Sequence, residues 1–208
     1  VDRGTDAMAL FRLGPSFDAA TLVRGEGVYL RPAEMRDFDA WASLRERSRQ
    51  FLTPWEPIWP TDDLTRAAFR RRIRLHAEEM SRDEAFPFLV FRDDDTLLGG
   101  LTVGQIRRGV AQTATLGYWM GHPHAGRGYM SRAVRAASGF VFGSLRLHRL
   151  EAACLPHNEA SMRLLQSVGF QKEGYARAYL RIAGRWQDHV LFALLDSDPV
   201  APPRRPLG

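Results

Sequence analysis

The stretch HPHAGRGYMSRAV, residues 122–134, sets Gly126 and Gly128 around Arg127 and then runs at once into apolar residues at helical spacing. Glycine tolerates backbone angles that other residues avoid, and it lets a ligand approach the main chain. The first N–H groups of a helix have no internal partner, and the helix dipole favours negative charge beside them. Arg127 adds a charge-assisted hydrogen bond for a phosphate oxygen. Together these features describe an anion site whose natural guest is a pyrophosphate; the alternative is a glycine loop that holds no ligand. Other phosphate-binding patterns fit poorly. There is no GxxxxGK[ST], which removes a P-loop NTPase. A dinucleotide fold asks for a third glycine where Ser131 stands, and for a loop early in a βαβ unit rather than late in the chain.

Two further places carry chemistry-bearing side chains. The loop FLTPWEPIWP, residues 51–60, is stiffened by three prolines and sets Glu56 between Trp55 and Trp59. A carboxylate between apolar walls can read or deprotonate an incoming amine; otherwise the tryptophans pin the loop and Glu56 faces water. Asn158 stands where it can cap the helix that follows, with Ser161 one turn on. Cys154, the only cysteine, excludes an internal disulfide, fits a reducing cytoplasm and reads as a buried strand residue. The histidines at 76, 122, 124, 148, 157 and 189 show no metal-ligand spacing beyond H-x-H at 122–124, where a loop turn fits better, so no metal is expected.

The elements that must position these residues follow from pattern. With 208 residues, 45% of them hydrophobic, the chain can bury one sizeable core. It has no run of 18 apolar residues and no export-signal pattern, so no membrane span and a cytoplasmic location are expected. The net charge is +5 and almost every basic residue is arginine, Lys172 being the only lysine. Within RAAFRRRIR, residues 66–74, the side chains of Arg66, Arg70 and Arg74 share one helix face, either a solvated face or a weak RNA contact.

Periodicity predicts a strand over 27–33 and a helix over 34–49. A second helix, capped by Thr61 or Asp62, buries Phe69, Ile73, His76 and Met80. Strands over 86–91 and 97–106 form a hairpin, and 113–120 is a third strand of the series. The glycine loop then opens a helix to about Leu145. A strand over 148–155, a short helix after Asn158 and a hairpin turning at Ala183-Gly184 complete the order. This reads as one α+β domain with a mixed sheet over residues 25–196, after an N-terminal extension 1–24 and before a disordered, proline-rich tail 197–208.

LGYWMGHPHAGRGYMSRAV followed by HRLEAACLPHNEASMRLLQSVGFQKEG resembles the GNAT superfamily of N-acetyltransferases. FLTPWEP, PHNEAS, GFQKEGYARAYL and GRWQDHVLFAL are similar, more narrowly, to the RimJ/RimL-type ribosomal-protein N-terminal acetyltransferases, on the RimJ side. The resemblance covers about residues 25–196. It implies the GNAT fold: a mixed, mostly antiparallel twisted sheet, splayed at two strands and flanked by about four helices.

The family loop pattern Q/R-x-x-G-x-G/A maps onto residues 125–130, with Ala125 and Met130 departing from it. The resemblance implies that Gly126, Arg127, Gly128, Tyr129, Met130 and Ser131 meet the pyrophosphate of coenzyme A through the main chain. It implies that strand 113–120 carries a bulge and splays from strand 148–155, so that Trp119, Met120 and Gly121 offer an edge to the pantetheine arm and one N–H to the thioester oxygen. Asn158 would bond the pantetheine amides and Ser161 the leaving sulfur, since the tyrosine that many relatives carry four residues later is Leu165 here. Glu56 is the candidate base, acting through water, with Glu84 behind it.

The expected activity is transfer of acetyl from acetyl-coenzyme A to a protein N-terminus, that of a ribosomal protein with N-terminal alanine or serine, by a monomer or homodimer. The other readings are a GNAT enzyme acting on a small amine, such as an antibiotic or amino acid, and a ribosome- or RNA-associated module that holds coenzyme A without turnover.

Overall fold

A computed structural model describes residues 21–200; residues 1–20 of the expected extension and 201–208 of the expected tail lie outside the described residues. Eight strands form one sheet: β1 (Val23–Gly25), β2 (Val28–Arg31), β3 (Phe86–Arg92), β4 (Leu97–Arg107), β5 (Thr113–Met120), β6 (Arg149–Cys154), β7 (Gln171–Ile182) and β8 (Arg185–Leu195). Their order is β1-β2-β3-β4-β5-β6-β8-β7, and only the β5–β6 pair is parallel. The helices are α1 (Phe38–Arg47), the single turn α2 (Arg49–Leu52), α3 (Arg66–Ser81), α4 (Tyr129–Gly139) and α5 (Glu159–Val168). This is the expected mixed, mostly antiparallel sheet, with five helices rather than about four. Among the described residues no helix is long and apolar enough to cross a membrane.

Helices cover both faces of the sheet, and β3 shows why. Its run FPFLVF has no polar alternation because Phe86, Phe88 and Val90 enter a large core with α4 and α5, while Leu89 and Phe91 enter a second core with α1 and α3. In α3 the expected inward residues hold: Phe69 and Met80 are buried and Ile73 packs on the second core. His76 is half-buried, and burial, helped by the Arg72 charge, lowers its pKa to about 4. Arg66, Arg70 and Arg74 face solvent, and Arg66 pairs loosely with Asp39 at 3.6 Å.

Several local readings change. β1 lies mostly inside the stretch read as an extension, because three residues give no period to detect. The cap of α3 is Thr65, whose Oγ1 accepts from the Ala68 N–H at 3.2 Å. Asp62 and Asp63 instead pair with Arg71 and Arg72. The helix after the glycine loop leaves α geometry at Gly139 and continues as a π-turn over Phe140–Ser144. The β7–β8 hairpin turns where expected, on two left-handed residues, Ala183 (φ 48°) and Gly184 (φ 78°).

The splay also forms. β5 and β6 pair only from Thr113–Arg149 to Leu116–Ala152, and then part. The expected bulge falls on the neighbouring strand instead: between Gly104 and Arg107, β4 advances three residues while β5 advances two, with Gln105 at φ 49°.

Candidate active site

Where β5 and β6 part, a cleft of about 800 Å³ opens through the sheet. Its β5 edge is fixed by alternation. The Gly121 N–H donates to the Leu98 carbonyl at 2.8 Å, and Trp119 stands opposite Gly100. In an antiparallel ladder, successive residues direct their N–H and C=O to opposite neighbours. Residues 119 and 121 therefore serve β4, and the main-chain groups of Tyr118 and Met120 face the gap. Of the expected edge residues, Met120 keeps its place. Trp119 borders the cleft, but its indole lies over Gly100, where any Cβ would meet Nε1 at 2.3 Å. Gly121 does not line the cleft; it is packed against Leu44, whose Cδ1 would lie 2.5 Å from an added Cβ.

At one end of the cleft stands the glycine loop, and all six residues from Gly126 to Ser131 line it. Gly126 (φ 74°) and Gly128 (φ 77°) adopt the left-handed conformation that favours glycine. Gly128 is the N-cap of α4 and no side chain caps that helix; the Ser131 hydroxyl turns back to the Gly128 carbonyl at 2.8 Å. The opening N–H groups of α4 are thus left for a ligand. The surroundings are positive: burial first, then the charges of Arg127, Arg92 and Arg47, lowers the pKa of His124.

Midway, α5 brings its opening turn to the gap. Asn158 caps α5, its Oδ1 accepting from the Ser161 N–H at 3.1 Å. Ser161 Oγ lies 2.7 Å from the phenol oxygen of Tyr118. Burial pushes the Tyr118 pKa well up despite the Ser161 hydrogen bond, so this phenol stays protonated. Cys154 lines the cleft beside them, and burial raises its pKa too, as expected of a strand thiol that is not a nucleophile. Leu165 is core and offers no proton donor here. The missed phenol comes from β5, and the sequence signal was strand alternation, which puts Tyr118 on the face of buried Leu116.

At the other end, Trp55, Leu180 and Ile182 wall a chamber with Glu56 at its border. Glu56 is not the free carboxylate expected. Its two oxygens accept from both terminal nitrogens of Arg45 at 2.8 Å each, and one also accepts from Trp59 Nε1 at 2.6 Å. The Arg45 side chain is only 7% exposed and its guanidinium lies between the rings of Trp59 (3.9 Å) and Trp119 (4.8 Å). Trp59 therefore turns away from the chamber to the ion pair. The loop is tied to the β7–β8 turn, with the Ala183 N–H donating to the Glu56 carbonyl at 3.0 Å and Ile58 packed on Gly184. Glu84 does not line the cleft; its carbonyl accepts the Ile106 N–H at the far end of β4. His189 of β8, read from the sequence only as a histidine without metal-ligand spacing, does line it. Among the described residues no three metal-ligating side chains gather.

A family model described as an acetyltransferase (GNAT) domain matches residues 28–171. The chain is 38% identical over 178 residues to a probable N-acetyltransferase of Bacillus subtilis, YjcK, across 85% of this chain and 98% of that one. It is 36% identical over 167 residues to the ribosomal protein uS5-alanine N-acetyltransferase of Escherichia coli, across 79% and 86%. A solved structure of Mycobacterium smegmatis RimJ in complex with CoA-disulfide matches with a TM-score of 0.78 at 31% identity, across 84% of this chain and 86% of that one.

Proposed function

The chain belongs to the acetyltransferase (GNAT) domain family, and from that premise we propose that it moves acetyl from acetyl-coenzyme A to the α-amino group of a protein N-terminus, that of a ribosomal protein beginning with alanine or serine. The observation that carries this reading is the two-ended cleft: an uncapped, positively surrounded helix start at one end and a small apolar chamber at the other. The chamber suits a short N-terminal side chain, and the relative named for alanine acetylation of uS5 supports that class of acceptor.

Each residue then has a task. The main-chain N–H groups of residues 127–131 hold the pyrophosphate, with Arg127 beside it. The β5 edge at Tyr118 and Met120 pairs with the pantetheine amides as an added strand would. One N–H of that edge faces the thioester oxygen, a contribution on the order of 10²–10³ in rate. Asn158 spends its Oδ1 on the α5 cap and keeps its NH₂ to donate to the same arm. Ser161 bonds the leaving sulfur, steadied by the Tyr118 hydroxyl. Glu56, held by Arg45, positions the acceptor wall and presents a carboxylate edge to an incoming ammonium.

Incubation with acetyl-coenzyme A, peptides that begin with alanine or serine, and a panel of small amines tests the reading by mass spectrometry. Acetyl on the α-nitrogen of the peptides, with coenzyme A released, is expected. Acetylation of small amines alone, or of lysine side chains, overturns it.

A further inference from the structure

The attacking amine must lose a proton, and the groups on the α5 face of the sheet are placed for the sulfur instead. Val190 stands opposite Cys154 and both pack in the core on that face. Alternation therefore sends the next side chain of β8, His189, to the opposite face, the one that carries Trp119. There His189 joins Leu180 and Ile182 in the wall of the acceptor chamber.

The neutral ring is held in one tautomer. Its Nδ1 lies 3.0 Å from the Gln187 carbonyl, which can only accept, so in the neutral ring Nδ1 bears the hydrogen and Nε2 is bare. His189 is 3% exposed, and no described residue hydrogen-bonds its Nε2. Among the described residues Arg45 Nε is the only buried side-chain nitrogen or oxygen without a partner, so His189 Nε2 keeps some solvent access, and the cleft is the space the residue borders. A built support stands behind the ring. β7 bulges between Ala176 and Leu180, with Ala178 at φ 46°. Asp188 clamps the bulge, accepting from the Ala178 N–H and the Tyr175 hydroxyl at 2.7 Å each. The bulge sets Tyr179 edge-on to His189 at 5.7 Å between ring centres.

We propose that His189 is the general base of the transfer. The assignment rests on the acetyl-transfer reading above. As the lone pair of the neutral amine forms the N–C bond to the acetyl carbon, one N–H proton passes to Nε2. The C–S bond breaks with its electron pair on sulfur, beside the Ser161 hydroxyl. The thiolate then takes a proton from water and His189 returns its own to water, so amine and thioester leave as amide and thiol. The other candidates are spent or distant: Glu56 is committed to Arg45, and Glu84 lies away from the cleft.

Two variants test this on the full chain, with acetyl-coenzyme A and the peptide and small-amine panel as acceptors. His189→Asn keeps a donor for the Gln187 carbonyl but has nothing at the Nε2 position. It should melt as the wild type does, bind acetyl-coenzyme A with unchanged Kd, and lose about 100-fold or more in kcat. His189→Ala should be as slow and should recover rate, saturably, with added imidazole. If the asparagine variant unfolds, the imidazole response decides alone. An asparagine variant within about threefold of wild-type kcat, or an alanine variant that imidazole leaves unchanged, overturns the assignment. A wild-type protein that acetylates only small amines overturns the choice of acceptor and leaves the histidine to be judged on those amines. A wild-type protein that acetylates nothing overturns both.

Discussion

The two ends of the cleft are built by opposite means. The anion end is one contiguous piece of main chain, residues 126–131, whose shape depends on two left-handed glycines. The acceptor end is made of side chains drawn from α1, the loop after α2, β7 and β8, and it depends on a desolvated ion pair to keep its wall in place. A main-chain site tolerates exchange of the side chains around it, which is why Ala125 and Met130 can depart from the family pattern without cost to its geometry. It does not tolerate a change of backbone angle. A side-chain site behaves the other way: one lost partner leaves a buried charge behind.

The largest effect should therefore come from the ion pair. The Arg45 guanidinium has already paid for burial, and its Nε finds no partner at all. Its two hydrogen bonds to Glu56 and the two tryptophan rings offset that cost. Breaking such a pair from one side costs about 3–5 kcal/mol, whereas replacing both partners by apolar groups is often near neutral. Arg45→Met or Glu56→Gln alone should lower the stability measured by urea titration by that amount, and Arg45→Met with Glu56→Met should recover most of it. Single variants that lose less than about 1 kcal/mol would make the pair an ordinary surface contact and remove the contrast between the two ends.

The anion end comes next. Gly128 sits at φ 77°, and an added Cβ there would meet only Ser131 Oγ at 3.9 Å. A substitution is thus strained by the backbone rather than by a clash. Gly128→Glu adds a negative charge at the helix start where the proposal puts the pyrophosphate. The Kd for acetyl-coenzyme A should rise at least about 100-fold, or about 2.7 kcal/mol, above that of Gly128→Ala, which carries the same backbone strain without the charge. Unchanged affinity by calorimetry would mean that the loop is not the anion site.

The same contrast explains what could be read from the chain. The glycine loop, the Asn158 cap and the Ala183-Gly184 turn are local devices, and each stands where its residues predict it. The acceptor end is not local. In SLRERSRQ nothing distinguishes Arg45 from Arg47 or Arg49; only packing of α1 on the sheet buries the first of them. Without that partner in view, Glu56 reads as a free carboxylate. His189 is one more polar position in a strand until the register of β8 with β6 decides its face. The gap-side edge likewise shifted from Trp119 and Gly121 to Tyr118 because parity within β5 is set by its hydrogen bonds to β4, which the sequence does not display.

The smallest effect should lie at the waist of the cleft, where the two ends meet. On the proposed reading Tyr118 acts through Ser161: if its hydroxyl donates into Ser161 Oγ, the serine proton is aimed at the sulfur. Removing that donor by Tyr118→Phe deletes one neutral hydrogen bond, worth about 1 kcal/mol, so kcat should fall about fivefold while the KM of the acceptor and the affinity for acetyl-coenzyme A stay the same. Two readouts separate this from a packing defect. Because burial holds the phenol pKa above its ordinary value of about 10, Tyr118 remains protonated throughout pH 6–9. Its loss should scale the pH–rate profile without adding or removing a limb. If Tyr118 works only through the serine, Tyr118→Phe placed on top of Ser161→Ala should cost nothing further in kcat. A double variant slower than Ser161→Ala by the full Tyr118→Phe factor would show that the tyrosine reaches the reaction by its own route, or supports the strand alone.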